Sequence, residues 1–415
     1  MTGRGRVTVV TSGHLSTCPR MLKSADALTE AGYDVRMVAT RHEPWATETD
    51  RDVRSRRSYP VEVINYRRDE EPLTYYQTGA RYRAARAAAA TVGPDRAPLP
   101  VVARAFGRVH AELVHAITSE PADLIYGGTT GALAAIAEAA RRQSTSYGLD
   151  LEDLHSGEAS GPDAALADAL ASRVERAVVS RAAFVTTSSE AIGEVYEEQF
   201  GVSPVVVHNT FPLPSREPDF SRIDPGTLRL YWFSQTIGPG RGLETAVAAA
   251  GRAGVRAELA LRGRAQAGYL EALRELARST APRLTVVHQP PASPDAMVDL
   301  ARGHDVGLAL EQMDVRNRQL CVTNKAFTYI LAGVAVAITS TPGQRSLGVD
   351  LGEAAALVAP GDADALASAF ARWSADPTAL DCAKRAAWRA ATRRWHWEHE
   401  CERGALYRLV EAALA

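Results

Sequence analysis

Residues 6–39 read RVTVVTSGHLSTCPRMLKSADALTEAGYDVRMVA, and this stretch decides the fold class. Arg6–Thr11 is a β-branched run, the composition of a buried strand. Ser12-Gly13-His14 makes a turn, and Pro19 opens a helix where its missing N–H costs little. Met21, Leu22, Ala25 and Leu28 then fall on one helical face. Gly32 ends the helix, and residues 35–39 form the next strand. A strand, a crossover helix and a second strand make a βαβ unit, which implies a parallel sheet covered by helices.

The same grammar recurs along the chain. Strands are expected at 61–65, 124–126, 146–149, 184–187 and 205–208, with helices such as 132–142 and 164–180 between them. Residues 209–227 break the pattern, since Pro212, Pro214, Pro218, Pro225 and Gly226 read as a linker. A second series of strands follows at 228–234, 258–261, 284–287, 306–310, 334–338 and 356–358. The fold expected is α/β, with two doubly wound parallel-sheet, Rossmann-like domains facing across a cleft. Their bounds are 1–212 and 213–394. Residues 383–414 read as one long helical tail carrying Trp388, Trp395 and Trp397. Residues 51–108 are less regular and hold twelve Arg against six acidic residues, a solvated face or a basic arm toward an acceptor.

Composition narrows the function classes. Of 415 residues, 47 are basic and 49 acidic, so no global positive field marks a nucleic-acid binder. No apolar run reaches the length of a membrane-spanning helix, although peripheral contact with a membrane stays open. The N-terminal run reads as a strand, without the apolar core of a signal peptide. Cys18, Cys321, Cys382 and Cys401 are too scattered for a disulfide framework or a zinc site, which suggests a reduced, cytoplasmic enzyme.

Ligands of doubly wound sheets sit beyond the carboxyl ends of the strands, so the turns there carry the candidates. Leu230-Tyr-Trp-Phe-Ser-Gln-Thr-Ile-Gly-Pro-Gly-Arg-Gly-Leu-Glu244 runs from a strand through a glycine-rich loop into a helix. Gly238, Gly240 and Gly242 admit close backbone approach, the helix N-terminus favours an anion, and Arg241 adds a cation that can clamp phosphate. Farther on, the strand at 306–310 delivers Glu311, and Asn324 and Lys325 open another helix, concentrating positive potential suited to a pyrophosphate. Asp362-Ala-Asp364 spells a metal-nucleotide signal, but helix capping explains it, and no metal site is expected.

Asn209 after a strand, Gln235…Arg241-Gly242, and Thr323-Asn-Lys-Ala-Phe-Thr-Tyr…Ala332-Gly333 resemble the motifs of GT-B fold glycosyltransferases, in particular glycosyltransferase family four. The resemblance implies transfer of a sugar from a UDP- or GDP-linked donor, with retention and without a metal, to a small molecule or glycan in natural-product or cell-envelope biosynthesis. The nucleotide sugar is a co-substrate, and no cofactor is implied. The alternatives are a non-hydrolysing sugar-nucleotide epimerase and a catalytically degenerate binding protein. The donor site implied comprises Gln235, Gly240, Arg241, Gly242, Glu311, Asn324, Lys325 and Thr328. Gln235 stands where the family usually has a base. Leu320 and Thr328 stand at the family's paired glutamates. The acceptor falls to the first domain, at Gly13, His14, Arg20, Gly128, Thr129 and Glu152, with Asp150 and His155 as the groups that orient a hydroxyl or take its proton. The resemblance also implies that residues 395–415 pack back on the first domain.

Overall fold

Two parallel sheets organise the chain in a computed structural model that describes residues 4–220, 224 and 226–415. The first compact unit comprises residues 4–207 and 403–415, and the second falls within 208–402.

In the first unit, β1 (Arg6–Thr11), α1 (Pro19–Glu30) and β2 (Asp34–Arg41) form the expected βαβ unit. α2 (Thr47–Ser55), β3 (Val61–Asn65), α3 (Pro72–Val92), α4 (Leu99–Phe106) and α5 (His110–Thr118) follow. Then come β4 (Leu124–Gly128), α6 (Leu133–Gln143), β5 (Ser146–Leu151), α7 (Ala164–Val178), β6 (Phe184–Thr187), α8 (Glu190–Phe200) and β7 (Val205–Val206). The sheet order is β3-β2-β1-β4-β5-β6-β7, every pair parallel, so the order reverses between β1 and β4.

The second unit repeats the plan. β8 (Leu228–Ile237), α9 (Leu243–Ala253), β9 (Ala257–Ala265), α10 (Tyr269–Thr280), β10 (Leu284–Gln289) and α11 (Met297–Ala301) lead to β11 (Val306–Ala309). α12 (Arg316–Leu320), α13 (Asn324–Leu331), β12 (Ala335–Thr339), α14 (Pro342–Leu351), β13 (Ala355–Val358), α15 (Ala363–Ala375) and α16 (Pro377–Arg393) complete it. Its order is β10-β9-β8-β11-β12-β13, reversing between β8 and β11. Leu230, Trp232, Leu259, Leu308 and Phe370 lie in one of its cores, and Tyr231, Phe327, Tyr329 and Ile338 in another.

Three features differ from the sequence reading. Residues 51–108 are largely helical. α3 is alanine-rich, and alanine forms helices without marking a face, so no apolar stripe announced it. The tail is two helices, not one. α16 ends at Arg393, and the backbone N–H of Trp397 turns away to the carbonyl of Phe211 at 2.9 Å. Only α17 (Ala405–Leu414) joins the first unit, where the Tyr407 hydroxyl donates to the Ala27 carbonyl at 2.9 Å. The proline-rich segment is also no free tether. Asn209, Thr210 and Phe211 are buried in the second unit, and the division falls at Val207/His208.

Candidate active site

β8 and β11 flank the point where the second sheet reverses. β8 runs past Ser234 to Ile237 through a register irregularity, so Gln235 lies within the strand, not in the loop after it. The loop is Gly238–Gly242. Gly242 has φ 73° and sits so close to β11 that a Cβ there would lie 2.6 Å from Leu310. This contact brings the start of α9 against the end of β11.

Glu311, two residues past β11, is 4% exposed and accepts from Lys325 Nζ at 2.9 Å. Lys325 Nζ also donates to Thr323 Oγ1 at 3.1 Å and lies 5.6 Å from the Trp232 ring centroid. Burial alone would raise the Glu311 pKa, but Lys325, then Arg241 and Arg318, hold it below the usual carboxylate value. Arg318, on α12, donates to the Gly240 carbonyl at 2.7 Å. The partly buried Arg241 guanidinium donates no hydrogen bond among the described residues. Burial and the neighbouring Arg318 lower its pKa, against the pull of Glu311 and Asp314. Cations thus outnumber carboxylates at a glycine-rich helix start, an arrangement that favours a bound anion.

Asn324 opens α13 beside Lys325, as the sequence suggested. Thr328 does not fit a ligand role: it is fully buried and its hydroxyl donates to the Asn324 carbonyl at 3.2 Å. Arg318 was missed by sequence reasoning; its only signal is its place just before the Thr323-Asn-Lys motif.

In the first unit the structure corrects the reading of Asp150. β5 extends to Leu151, which makes Asp150 a strand residue, 2% exposed. Arg20 grips both its oxygens, at 2.6 and 2.7 Å, and Thr186 Oγ1 donates to it at 2.6 Å. Arg20 also donates to the carbonyls of Val207 and Thr187. This matched buried pair joins α1, β5 and β6, and leaves neither partner free for an acceptor. Glu152 lies beside it; burial, then Asp153, pushes its carboxyl up to about 7.

The other acceptor candidates near β1 are structural. His14 Nδ1 faces Asp50 Oδ2 at 2.8 Å, while its Nε2 accepts the backbone N–H groups of His42 and Glu43. A Cβ on Gly13 would lie 2.6 Å from Cys18 Sγ, and one on Gly128 would lie 2.1 Å from the Asp150 carbonyl. Both glycines therefore serve close packing. Thr129, at φ 77°, accepts from the Ser12 N–H at 2.9 Å and locks the two turns at the sheet reversal.

His155 is different. Its Nδ1 faces Thr130 Oγ1 at 3.1 Å and Glu158 Oε2 at 3.3 Å, and Thr130 donates to Glu158 at 2.8 Å. Burial would lower the imidazole pKa, but Glu158 carries it up to about 9. His155 and Glu158 line a cavity of about 450 Å³. Glu158 was overlooked, although its i, i+3 spacing from His155 was visible.

Residues 19–210 match the family described as the glycosyl transferase 4-like domain. The match spans a little under half of the chain, and the fold is of the GT-B type. Whole-chain likeness to solved structures supports the fold. Anabaena HepE, in complex with UDP and glucose, shares 14% identity at a TM-score of 0.66, covering 99% of both chains. Sucrose-phosphate synthase from Thermosynechococcus elongatus shares 17% at 0.66, covering 98% of this chain and 99% of the synthase. S. aureus TarM, in a complex that includes UDP, shares 6% at 0.65, with 99% of each chain covered. No curated protein sequence matches. Among the described residues, no helix is long and apolar enough to cross a membrane.

Proposed function

We propose that this protein transfers a sugar from a UDP- or GDP-linked donor to a hydroxyl of a small molecule or glycan. The observation that carries this reading is Arg241, a partly buried cation with no hydrogen-bond acceptor among the described residues, grouped with Arg318 and Lys325 at a glycine-rich helix start. As the glycosidic bond breaks, the diphosphate gains negative charge. Fixed cations therefore favour the transition state over the intact donor. UDP is the first nucleotide to test, because the HepE and TarM structures hold it.

We read transfer as retaining, as the family resemblance implies, and as metal-independent. Asp362 caps α15 through Ala365 N–H at 2.9 Å, and Asp364 pairs with Arg252 at 2.9 Å, so that acidic pair is already engaged. The nucleotide sugar is then the only co-substrate required. Four free cysteines suit a reducing compartment, and the cytoplasm is our assignment.

The test is a thermal-shift series with UDP and GDP, followed by turnover with the matching sugar nucleotides. A nucleotide at 100 times its Kd adds about 2.7 kcal/mol. Activity that survives EDTA and an α-linked product from an α-linked donor are expected. No shift with either nucleotide refutes the donor assignment.

A further inference from the structure

The cavity beside His155 lies wholly in the first unit and has two kinds of wall. Tyr82, Phe106, Ala159, Ala167 and Leu170 contribute apolar surface, and Thr130, His155, Glu158 and Arg86 contribute the polar side. Its volume, about 450 Å³, suits a compact molecule. The polar side is built. Glu158 Oε2 is fixed by two neighbours, while its side chain remains 42% exposed. The His155 side chain is 2% exposed, and its Nε2 has no partner among the described residues. Among the lining charges Glu158 faces His155, and Arg86 has Asp163, an exposed residue outside the lining, at 4.0 Å. An anion would meet the Glu158 carboxylate and, as its one unpaired lining cation, an Arg86 that Asp163 partly offsets.

We propose that this cavity is the acceptor subsite, and that Glu158 receives the hydroxyl of a compact, uncharged molecule with an apolar ring face. The proposal rests on the glycosyltransferase reading. Glu158, held by His155 and Thr130, takes the place first given to Asp150, whose oxygens Arg20 already occupies. The aromatic side chains Tyr82 and Phe106 suit the ring, and an ionised carboxylate is a strong acceptor for a hydroxyl.

Saturation-transfer NMR on the full chain tests this with phenyl β-D-glucoside, glucose and benzoate. Phenyl glucoside should bind, with saturation strongest on its ring protons, and glucose and benzoate should bind at least tenfold more weakly. Ala159→Trp, which fills the cavity from a partly exposed position, should abolish the signal; Glu158→Ala should weaken binding about tenfold. Glu158→Gln keeps the volume and should weaken it less, which covers the case of an Ala variant that fails to fold. Absence of phenyl glucoside binding, full binding to Ala159→Trp, or equal binding of benzoate overturns the proposal. UDP binding separates the two readings. If the wild type takes UDP but not phenyl glucoside, only this subsite falls. If it takes no UDP, the donor reading falls first.

Discussion

Replacing Arg241 and Lys325 in turn should separate a ligand-binding cation from one that also supports the fold. Arg241 makes no protein hydrogen bond among the described residues and neighbours another arginine, so Arg241→Ala removes a lone cation and some like-charge repulsion. Its thermal stability should stay within about 0.5 kcal/mol of wild type, the range of ordinary surface changes. The loss should appear in nucleotide binding. A hydrogen bond to a charged group contributes roughly 1.5–3 kcal/mol, so UDP affinity should fall about 10- to 150-fold. Lys325 differs because it balances Glu311, and both are more than nine-tenths buried. Lys325→Met strands a buried carboxylate, a change that costs about 3–5 kcal/mol of stability. Isothermal titration with UDP and urea unfolding of both variants give the two readouts. The reasoning fails if Arg241→Ala binds UDP like wild type. It fails equally if Lys325→Met unfolds at the wild-type midpoint with Glu311 intact.

The buried pair in the first unit makes an opposite prediction. Asp150→Ala should destabilise by about 3–5 kcal/mol because it leaves Arg20 unpaired, whereas Arg20→Met with Asp150→Leu should recover most of that loss in chemical denaturation. His155 sets a pH dependence. Its folded pKa of about 9 lies above the ordinary 6.5, so its contribution, roughly 3 kcal/mol, is complete below pH 6.5 and disappears as pH rises through 9. Urea midpoints should therefore fall between pH 7 and pH 9.5 in wild type and fall much less in His155→Gln; equal slopes would contradict this. Deleting residues 405–415 should lower the melting temperature, since Leu406 and Val410 are buried and Tyr407 bonds to α1. An unchanged melting curve would show that α17 contributes no packing.

The alternation of strands and helices was legible because buried parallel strands are short apolar runs between turn residues. β3 and β6 coincide with the sequence reading, and β1 does so through Thr11. What stayed hidden has physical causes. Alanine carries no facial signal, so α3 went unseen. Strand ends were read short where polar residues continue the ladder: Asp150 pairs with Thr186 in register, and Thr236 pairs with Arg264 beyond the irregularity in β8. Those two or three residues decide whether a side chain lies in the sheet or past its tip, and hence whether Asp150 and Gln235 are candidates. Arg241 and Lys325 were singled out because a glycine-rich turn and a helix start mark anion sites by backbone geometry, and Glu311 because it follows a buried strand. Long-range pairing, such as Arg20 with Asp150, leaves no mark in local sequence.

Both sheets place arginine and carboxylate side chains near the carboxyl ends of their strands, and the same residue types do different work according to charge balance. In the first, Arg20 meets Asp150 through two hydrogen bonds and donates to two backbone carbonyls as well. Nothing is left to recruit a ligand, and low exposure makes the pair costly to break. In the second, Arg241, Arg318 and Lys325 share Glu311 and the half-exposed Asp314. One positive charge is unbalanced, and Arg241 has no acceptor among the described residues. A protein that keeps such a cation partly desolvated sustains an electrostatic cost that a bound diphosphate relieves. The imbalance, more than the presence of basic residues, distinguishes the second site from the first, and the proposed nucleotide site rests on it.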